Sequence, residues 1–597
     1  MVVRPLLVAG IAGALLASPV LASPALANPA RTGPAHPASQ APAIPKKQRI
    51  AATTATFNTI EAKIAAGQSL RQRFPDPTAS ADIIDYGVEN LWKTGIDGSG
   101  VTVAYIVTNP DPGLAASMAT YDTAMNLPPV NITEMALPAP SDPSFACQVE
   151  CSTGEDRLDA EAIHSMAPFA NIIFVHPAVP ETIGMQGWPQ VAQAIKMIAD
   201  HHLANIITVS LGDGENSFIN DPTNPGADQA AAVRSLDPAF LDAAAHHIPV
   251  MFASGDCGPT APPVLGDTGQ CTPTTGVTAD HPGDSPWITS VGGTLPNPGL
   301  STLAGRTAPD PLWTAPTSHS DAEGAGISTI YPQPSWQASN PALSGVTGRA
   351  YPDISMDATD GTSQASPTFA GILALATQVR HSDLGTVNPA LAAIGPQGTA
   401  AGIVDVPAGF TNTAYGVTGF STATGYDLAS GWGTIWAPDF VPALVNQIDA
   451  MHGADRTSRQ AHHLLLALQR GISTSAGGEP VASGTTVTVT GKGFIPGSTP
   501  NGTTVKEGFG VFLPLPGQFG VTGGPFADPN STVPGQTWDD VTATISGPGG
   551  SQPLAVSGPD GNGNVTATID TTGMAFGTYT VTITGRLLSQ TITFAIK

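Results

Sequence analysis

A serine in a small-residue turn, two acids one helical turn apart and a third acid beside a glycine are the residues whose types and spacing could do chemistry. Asp360-Gly-Thr-Ser-Gln-Ala-Ser-Pro367 runs into an apolar stretch over 368–376. A turn of this kind at a helix start leaves Ser363 accessible, with backbone N–H groups aimed at an anion. Taken alone, Gly-Thr-Ser is ordinarily a helix cap. Further upstream, Gly154-Glu-Asp-Arg-Leu-Asp159-Ala-Glu-Ala-Ile-His-Ser-Met166 predicts a helix on which Glu155 and Asp159 are i and i+4 and share one face. Two like charges there are unfavourable unless they share a proton or meet a third polar group, and sharing raises one apparent pKa. A base built this way works at low pH, where a histidine would already be protonated. The plain alternative is a solvated acidic helix start. The third element, Ser254-Gly-Asp256, follows a predicted strand and by itself reads as a turn.

The elements that must hold these residues alternate along the chain. Unbroken apolar runs at 101–107, 171–175, 205–209 and 249–253 read as buried strands, and helices are expected over 155–166, 189–201 and 228–246. Buried strands separated by helices imply an α/β fold whose parallel sheet is flanked by helices on both faces. From 487 onward the pattern changes to short alternating strands, including 565–569 and 579–583, with Gly, Pro and Asn between them. That is the signature of an all-β, Ig-like sandwich domain.

Together the serine turn and the helix start resemble a known family. Gly-Thr-Ser-x-x-x-Pro opening an apolar helix is similar to the nucleophile motif shared by subtilisins and sedolisins. Subtilisins add a His-Gly-Thr run, and the only His-Gly here, His452-Gly453, is followed by Ala and lies beyond the expected core. Glu155-x-x-Leu-Asp159 before Ala167-Pro168 instead resembles the sedolisin (serine-carboxyl peptidase) pattern, and Ser254-Gly-Asp256 stands where that family carries its oxyanion-hole acid. Ser290-Val-Gly-Gly-Thr294, Pro334-Ser-Trp-Gln337, Arg349-Ala-Tyr-Pro-Asp-Ile-Ser355 and Ser210-Leu-Gly212 resemble further landmarks in the expected order. Their glycines read as close backbone access for an extended peptide.

The resemblance implies a subtilisin-like fold and an endopeptidase acting on protein or peptide substrates. Ser363 would be the nucleophile, Glu155 the base, Asp159 its partner, and protonated Asp256 the oxyanion donor. It also implies one structural Ca2+ in the segments Gly402-Ile-Val-Asp405-Val406 and Ala423-Thr-Gly-Tyr-Asp427. Asp405 and Asp427 would give side-chain oxygens, and Val406, Ala423 and Gly425 carbonyls, a donor set suited to a hard cation. Ala423 stands where the family usually has Gly, and Asp213 where aromatic residues are common.

Bulk composition sets the limits. With 46 acidic against 22 basic residues, a formal charge of -24, the surface repels nucleic acid and anionic membranes. Arg4, an apolar run over 6–16 and Ala25-Leu26-Ala27 read as an export signal, and no stretch reaches membrane-spanning length. A secreted, extracellular monomer is expected, with disulfides Cys147–Cys151 and Cys257–Cys271 as the simple pairing of three. The expected division is a signal peptide over 1–27, a short pro-region or linker over 28–82 with a helix over 59–73, and a peptidase domain over 83–450. A linker follows over 451–484 with a helix over 457–470, then the sandwich over 485–597, a candidate for cell-surface or polysaccharide contact. Two rivals stay open: a histidine-based subtilase, and a non-catalytic exported binding or adhesion protein on the same fold.

Overall fold

The computed structural model describes residues 44–66, 81–107, 110–137, 154–177, 187–215, 218, 225–261, 276–296, 309–314, 321–451, 453–496 and 541–597. Of its two units, Met1–Pro45 lies almost wholly outside them, and the architecture here is that of Lys46–Lys597. Helix α1 is Lys46–Ala65. Seven strands follow: β1 Thr102–Ile106, β2 Asn131–Ala136, β3 Asn171–His176, β4 Ile206–Val209, β5 Val250–Ala253, β6 Thr289–Thr294 and β7 Ile354–Asp357. They form one sheet in the order β7-β6-β5-β4-β1-β3-β2, with every neighbouring pair parallel. Val103 of the central β1 stands opposite Ile172 of β3 and Ile206 of β4.

Side chains alternate across a strand, and here each alternate set meets its own core. Val103, Tyr105, Ile206, Met251 and Val291 pack with Ile163 and Met166 of α2 (Glu155–Met166) and with Phe369 and Leu373 of α3 (Thr362–Arg380). Ala104, Ile106, Ile207, Val209 and Phe252 pack on the other face against Ile195, Ile198 and Phe240. Covered on both faces, the strands need no polar side, which is why they read as unbroken apolar runs. Helices α2 and α3 approach closely, since a Cβ on Gly371 would lie 2.6 Å from the Met166 Cβ and 3.0 Å from the Ile163 carbonyl.

Three expectations are corrected. The single helix over 228–246 is two, Pro225–Arg234 and Asp237–Ala245, broken at Ser235 and Leu236. Pro238 has no N–H to donate and suits a first helical turn, where it stands as the second residue of the second helix. The helix expected over 59–73 meets α1 over 59–65, with 67–73 outside the described residues, and α1 begins earlier, at Lys46, and is packed rather than loose. Thr53, Thr56, Phe57 and Ile60 form an i, i+3, i+4, i+7 stripe that is buried, while Arg49 pairs with the buried Asp97 at 2.8 Å. Nor do residues 451–484 act as a free linker. Helix α4 (Gly453–Gln469) packs Ala461 and Leu465 on Leu241 and Ala244, and the Ser458 hydroxyl donates to the Ala245 carbonyl at 2.8 Å.

Beyond α4 the strands β8 Ile472–Thr474, β9 Thr486–Gly491, β10 Thr542–Gly547, β11 Gly550–Leu554, β12 Val565–Asp570, β13 Gly577–Thr584 and β14 Ser589–Ile596 are all antiparallel. They make two sheets, β8-β9-β12 and β11-β10-β13-β14. Val487, Val489, Ala567 and Ile569 of the first share one core with Ile545, Val581, Ile583 and Phe594 of the second.

Candidate active site

Ser363 is the second residue of α3. Gly361 precedes that helix with φ +86°, a conformation that a side chain resists. A Cβ at Gly361 would also lie 2.5 Å from Asp256 Oδ2. The acid is held there by its neighbour: Asp256 Oδ1 accepts the Thr362 N–H at 2.8 Å and the Thr362 hydroxyl at 2.6 Å. Thus the Ser-Gly-Asp turn after β5 and the Gly-Thr-Ser turn before α3 are one hydrogen-bonded unit.

Asp159 is linked to Ser363 through Ser210. It lies one turn into α2 and is fully buried. Ser210, just past the end of β4, carries a hydroxyl 2.8 Å from Asp159 Oδ1 and 3.0 Å from the Ser363 carbonyl oxygen. Asp159 Oδ2 is buried with no hydrogen-bond partner among the described residues. Burial, then the nearby Glu155 and, more weakly, Asp156, push the Asp159 carboxyl well above the usual range, against the opposing pull of the Ser210 hydroxyl. Glu155 is half-buried at the first position of α2. No hydrogen bond joins the Ser363 hydroxyl to Glu155 among the described residues; such contacts commonly tighten only when substrate is bound. So three of the four sequence-expected residues fall into two hydrogen-bonded groups, Asp159 with Ser210 and the backbone of Ser363, and Asp256 with Thr362, while Glu155 stands one helical turn before Asp159 on α2.

Several acids around this centre were invisible to motif reading. Glu323 is fully buried, accepts from the Ser254 hydroxyl at 3.1 Å and from the Gly293 N–H, and is pushed well up, chiefly by burial. Its carboxyl occupies the space that side chains at Gly292 and Gly293 would fill. Those glycines therefore make room for an internal acid. Asp280 is buried against Gly255, where a Cβ would overlap its Oδ2. Gln364, next to Ser363, donates to the buried Asp82 at 2.9 Å and accepts the Asp360 N–H at 3.1 Å. Paired buried acid and small residue could have been sought only with the fold in hand. Asp213, off the family pattern, accepts the Trp188 indole N–H at 2.8 Å.

The loop expected to hold a cation is also drawn together. Asp405 Oδ2 accepts the Gly425 N–H at 2.8 Å, and Asp427 Oδ2 accepts the Ala423 N–H at 2.7 Å. Asp427 Oδ1 is taken up by the N–H groups of Ala429 and Ser430 and by the Ser430 hydroxyl. Asp405 Oδ1 is buried with no hydrogen-bond partner among the described residues. These residues carry no group of three or more His, Cys, Asp or Glu side chains that could hold a metal, so a cation here would depend on carbonyls.

Comparison with known proteins meets this geometry on the same residues. The subtilase family model (Peptidase_S8) matches residues 150–426, a span that contains Glu155, Asp159, Asp256 and Ser363. Over that span the chain is similar to the subtilase family. Human tripeptidyl-peptidase 1 is 29% identical over 279 residues, which cover 41% of this chain and 44% of the relative. Kumamolisin from a Bacillus strain is 26% identical over 351 residues, 55% of this chain and 57% of that one. Aorsin from Aspergillus oryzae is 30% identical over 276 residues, 38% and 39%. The chain thus spans roughly two-fifths to three-fifths of the length of these relatives. Among solved structures, a Pseudomonas sedolisin (serine-carboxyl proteinase) complexed with pseudo-iodotyrostatin is 24% identical, with a TM-score of 0.47 over 60% of this chain and 94% of that one. Among the described residues, no helix is long and apolar enough to cross a membrane.

Proposed function

We propose that this protein is a secreted serine-carboxyl endopeptidase of the sedolisin type, acting at acid pH on protein or peptide substrates. The observation that carries the reading is the bracketing of the Ser363 turn by two acids, Asp256 through Thr362 and Asp159 through Ser210.

In this reading Glu155 takes the Ser363 hydroxyl proton as Oγ attacks the peptide carbonyl. Asp159 shares the charge of Glu155, and its buried, raised carboxyl keeps the pair from ionising twice. Because Asp256 Oδ1 already accepts two donors, the proton that Asp256 offers to the oxyanion sits on Oδ2. The Ser363 N–H is the second oxyanion donor. Glu155 then returns the proton to the leaving amine, and water resolves the acyl-enzyme by the reverse transfers.

Asp405, Asp427 and the carbonyls of Val406, Ala423 and Gly425 would hold one Ca2+, and the buried, unpartnered Asp405 Oδ1 fits such an ion. Bound there, Ca2+ would brace the loop and take no part in catalysis. Cys257 being disulfide-bonded supports local disulfides; Cys147, Cys151 and Cys271 lie outside the described residues, as does the export signal. The two C-terminal sheets are read as an Ig-like sandwich suited to cell-surface or polysaccharide contact, on a monomeric enzyme.

The test is hydrolysis of a denatured protein from acid to mildly alkaline pH by wild type, Ser363→Ala and Glu155→Ala. An acid peak absent from both variants supports the reading. Wild-type rates in Ser363→Ala would sink it.

A further inference from the structure

The Ser210 hydroxyl carries one proton and faces two acceptors, Asp159 Oδ1 at 2.8 Å and the Ser363 carbonyl oxygen at 3.0 Å. It cannot donate to both at once. When Asp159 is a carboxylate, the charged acceptor takes the proton, because charge-assisted hydrogen bonds are the stronger kind. When Asp159 carries a proton on Oδ1, that proton is donated to Ser210 Oγ, and the serine hydrogen turns to the Ser363 carbonyl. Both arrangements use the same three atoms and differ by a hydroxyl rotation.

We propose that Ser210 is a positioning residue that links the protonation state of Asp159 to the backbone of Ser363. The inference rests on the reading of Ser363 as nucleophile and goes beyond it, since nothing in that mechanism requires Ser210. The site is closed to water that would otherwise supply alternative partners: Asp159 is fully buried and Ser210 nearly so. The titratable groups facing Asp159 are Glu155 and Asp156 from its own helix and the buried Tyr105 hydroxyl from β1. Of these, Glu155 and Asp156 raise the Asp159 carboxyl, and Ser210 is the one neighbour that lowers it. A second hydroxyl pair, Thr208 with Ser366 at 2.8 Å, holds β4 to α3 independently of Ser210, so removing the Ser210 hydroxyl should not loosen the fold.

The test is a set of full-length variants assayed across pH, with thermal melts as the check on folding. Ser210→Ala should lower kcat about tenfold with KM within about twofold. It should also raise the acid limb of kcat/KM by about half a pH unit, because the donor that favours ionised Asp159 is gone. Ser210→Thr, which keeps the hydroxyl, should return both values toward wild type. In an Asp159→Asn background, where no proton can come or go, Ser210→Ala should cost less than about twofold. An unmoved pH limb, an equal loss in the Asp159→Asn background, or a Thr variant that behaves as Ala overturns the proposal. Inactive Ser363→Ala alongside any of these leaves the catalytic reading standing, whereas active Ser363→Ala overturns that reading itself.

Discussion

Asp256 and Thr362 form a two-point contact, the acid's Oδ1 taking both the backbone N–H and the hydroxyl of the residue before Ser363. In the proposed mechanism that contact leaves Oδ2, the oxygen not held by Thr362, to act on the substrate. An amide in place of the acid would orient the same way, with its carbonyl toward Thr362 and its NH2 outward. Asp256→Asn should therefore keep a measurable fraction of the acid-pH rate and extend activity to higher pH, since an amide donates at any pH. Asp256→Ala should lose about a hundredfold in kcat, the usual cost of an oxyanion donor. Rate profiles of the two variants decide it; equal losses in both would show that Asp256 does not act as a donor.

The same contact requires Gly361. With φ +86° and an acid oxygen 2.5 Å from where its Cβ would stand, Gly361→Ala must shift either the turn or Asp256. A non-glycine residue held in that conformation costs about 1 kcal/mol or more. The expected outcome is a large fall in kcat with a modest fall in Tm, because Asp256 is the softer of the two neighbours. A fall in Tm with kcat preserved would place the strain elsewhere.

The interior is built for acid. Glu215 is pushed up to about 8, first by burial and then by its hydrogen bond to Asp284. Glu161 reaches about 8 and Glu89 about 7, both chiefly by burial. A carboxyl whose folded pKa lies above its unfolded value contributes stability that is complete below about 4.5 and is lost as pH rises toward its folded pKa. Buried His281, lowered to about 4 and hydrogen-bonded to Asp284 at 2.7 Å, acts in the opposite sense, its stability falling as pH drops from about 6.5 to 4. Three glutamates outweigh one histidine, so Tm should fall by at least about 5 °C between about pH 5 and pH 8. Glu215 also accepts from Ser328 and, at 2.6 Å, from the Thr329 hydroxyl, and Glu215→Gln can keep an acceptor for them. That variant should flatten part of the loss. A Tm that rises over this range would refute the argument.

Much of this was legible in the sequence for simple reasons. A sheet covered on both faces demands unbroken apolar strands, and β1, β3, β4 and β5 fall within a residue or two of the runs at 101–107, 171–175, 205–209 and 249–253. Helix α2 matches because its start is marked by Gly154 and its end by Ala167-Pro168. The candidate site residues stood out because each lies in a short local motif. Contacts that cross the chain did not: Ser210 is 51 residues from Asp159 and 153 from Ser363. Glu323 and Asp280 belong to no motif, and only their fit over Gly292, Gly293 and Gly255 reveals them. The N-terminal reach of α1 and its burial escaped because its buried stripe mixes Thr with Phe57 and Ile60, a weak apolar signal in an Ala- and Thr-rich segment.

The cation loop yields the last expectation. Asp405 Oδ1 is buried with no partner among the described residues, an arrangement that costs stability unless something supplies positive charge. A Ca2+ held there at a hundred times its Kd would stabilise the fold by about 2.7 kcal/mol. Chelation should therefore lower the Tm of the wild type by several degrees, and added Ca2+ should restore it where Mg2+, which demands a tighter octahedral shell, does not. Asp405→Asn removes the charge and should melt at the chelated wild-type temperature, with or without Ca2+. Because the ion is assigned no catalytic step, kcat measured well below that melting temperature should be nearly the same before and after chelation. A wild-type Tm indifferent to chelator, with Asp405→Asn equally stable, would remove Ca2+ from the account and leave Asp405 as a buried acid of the loop.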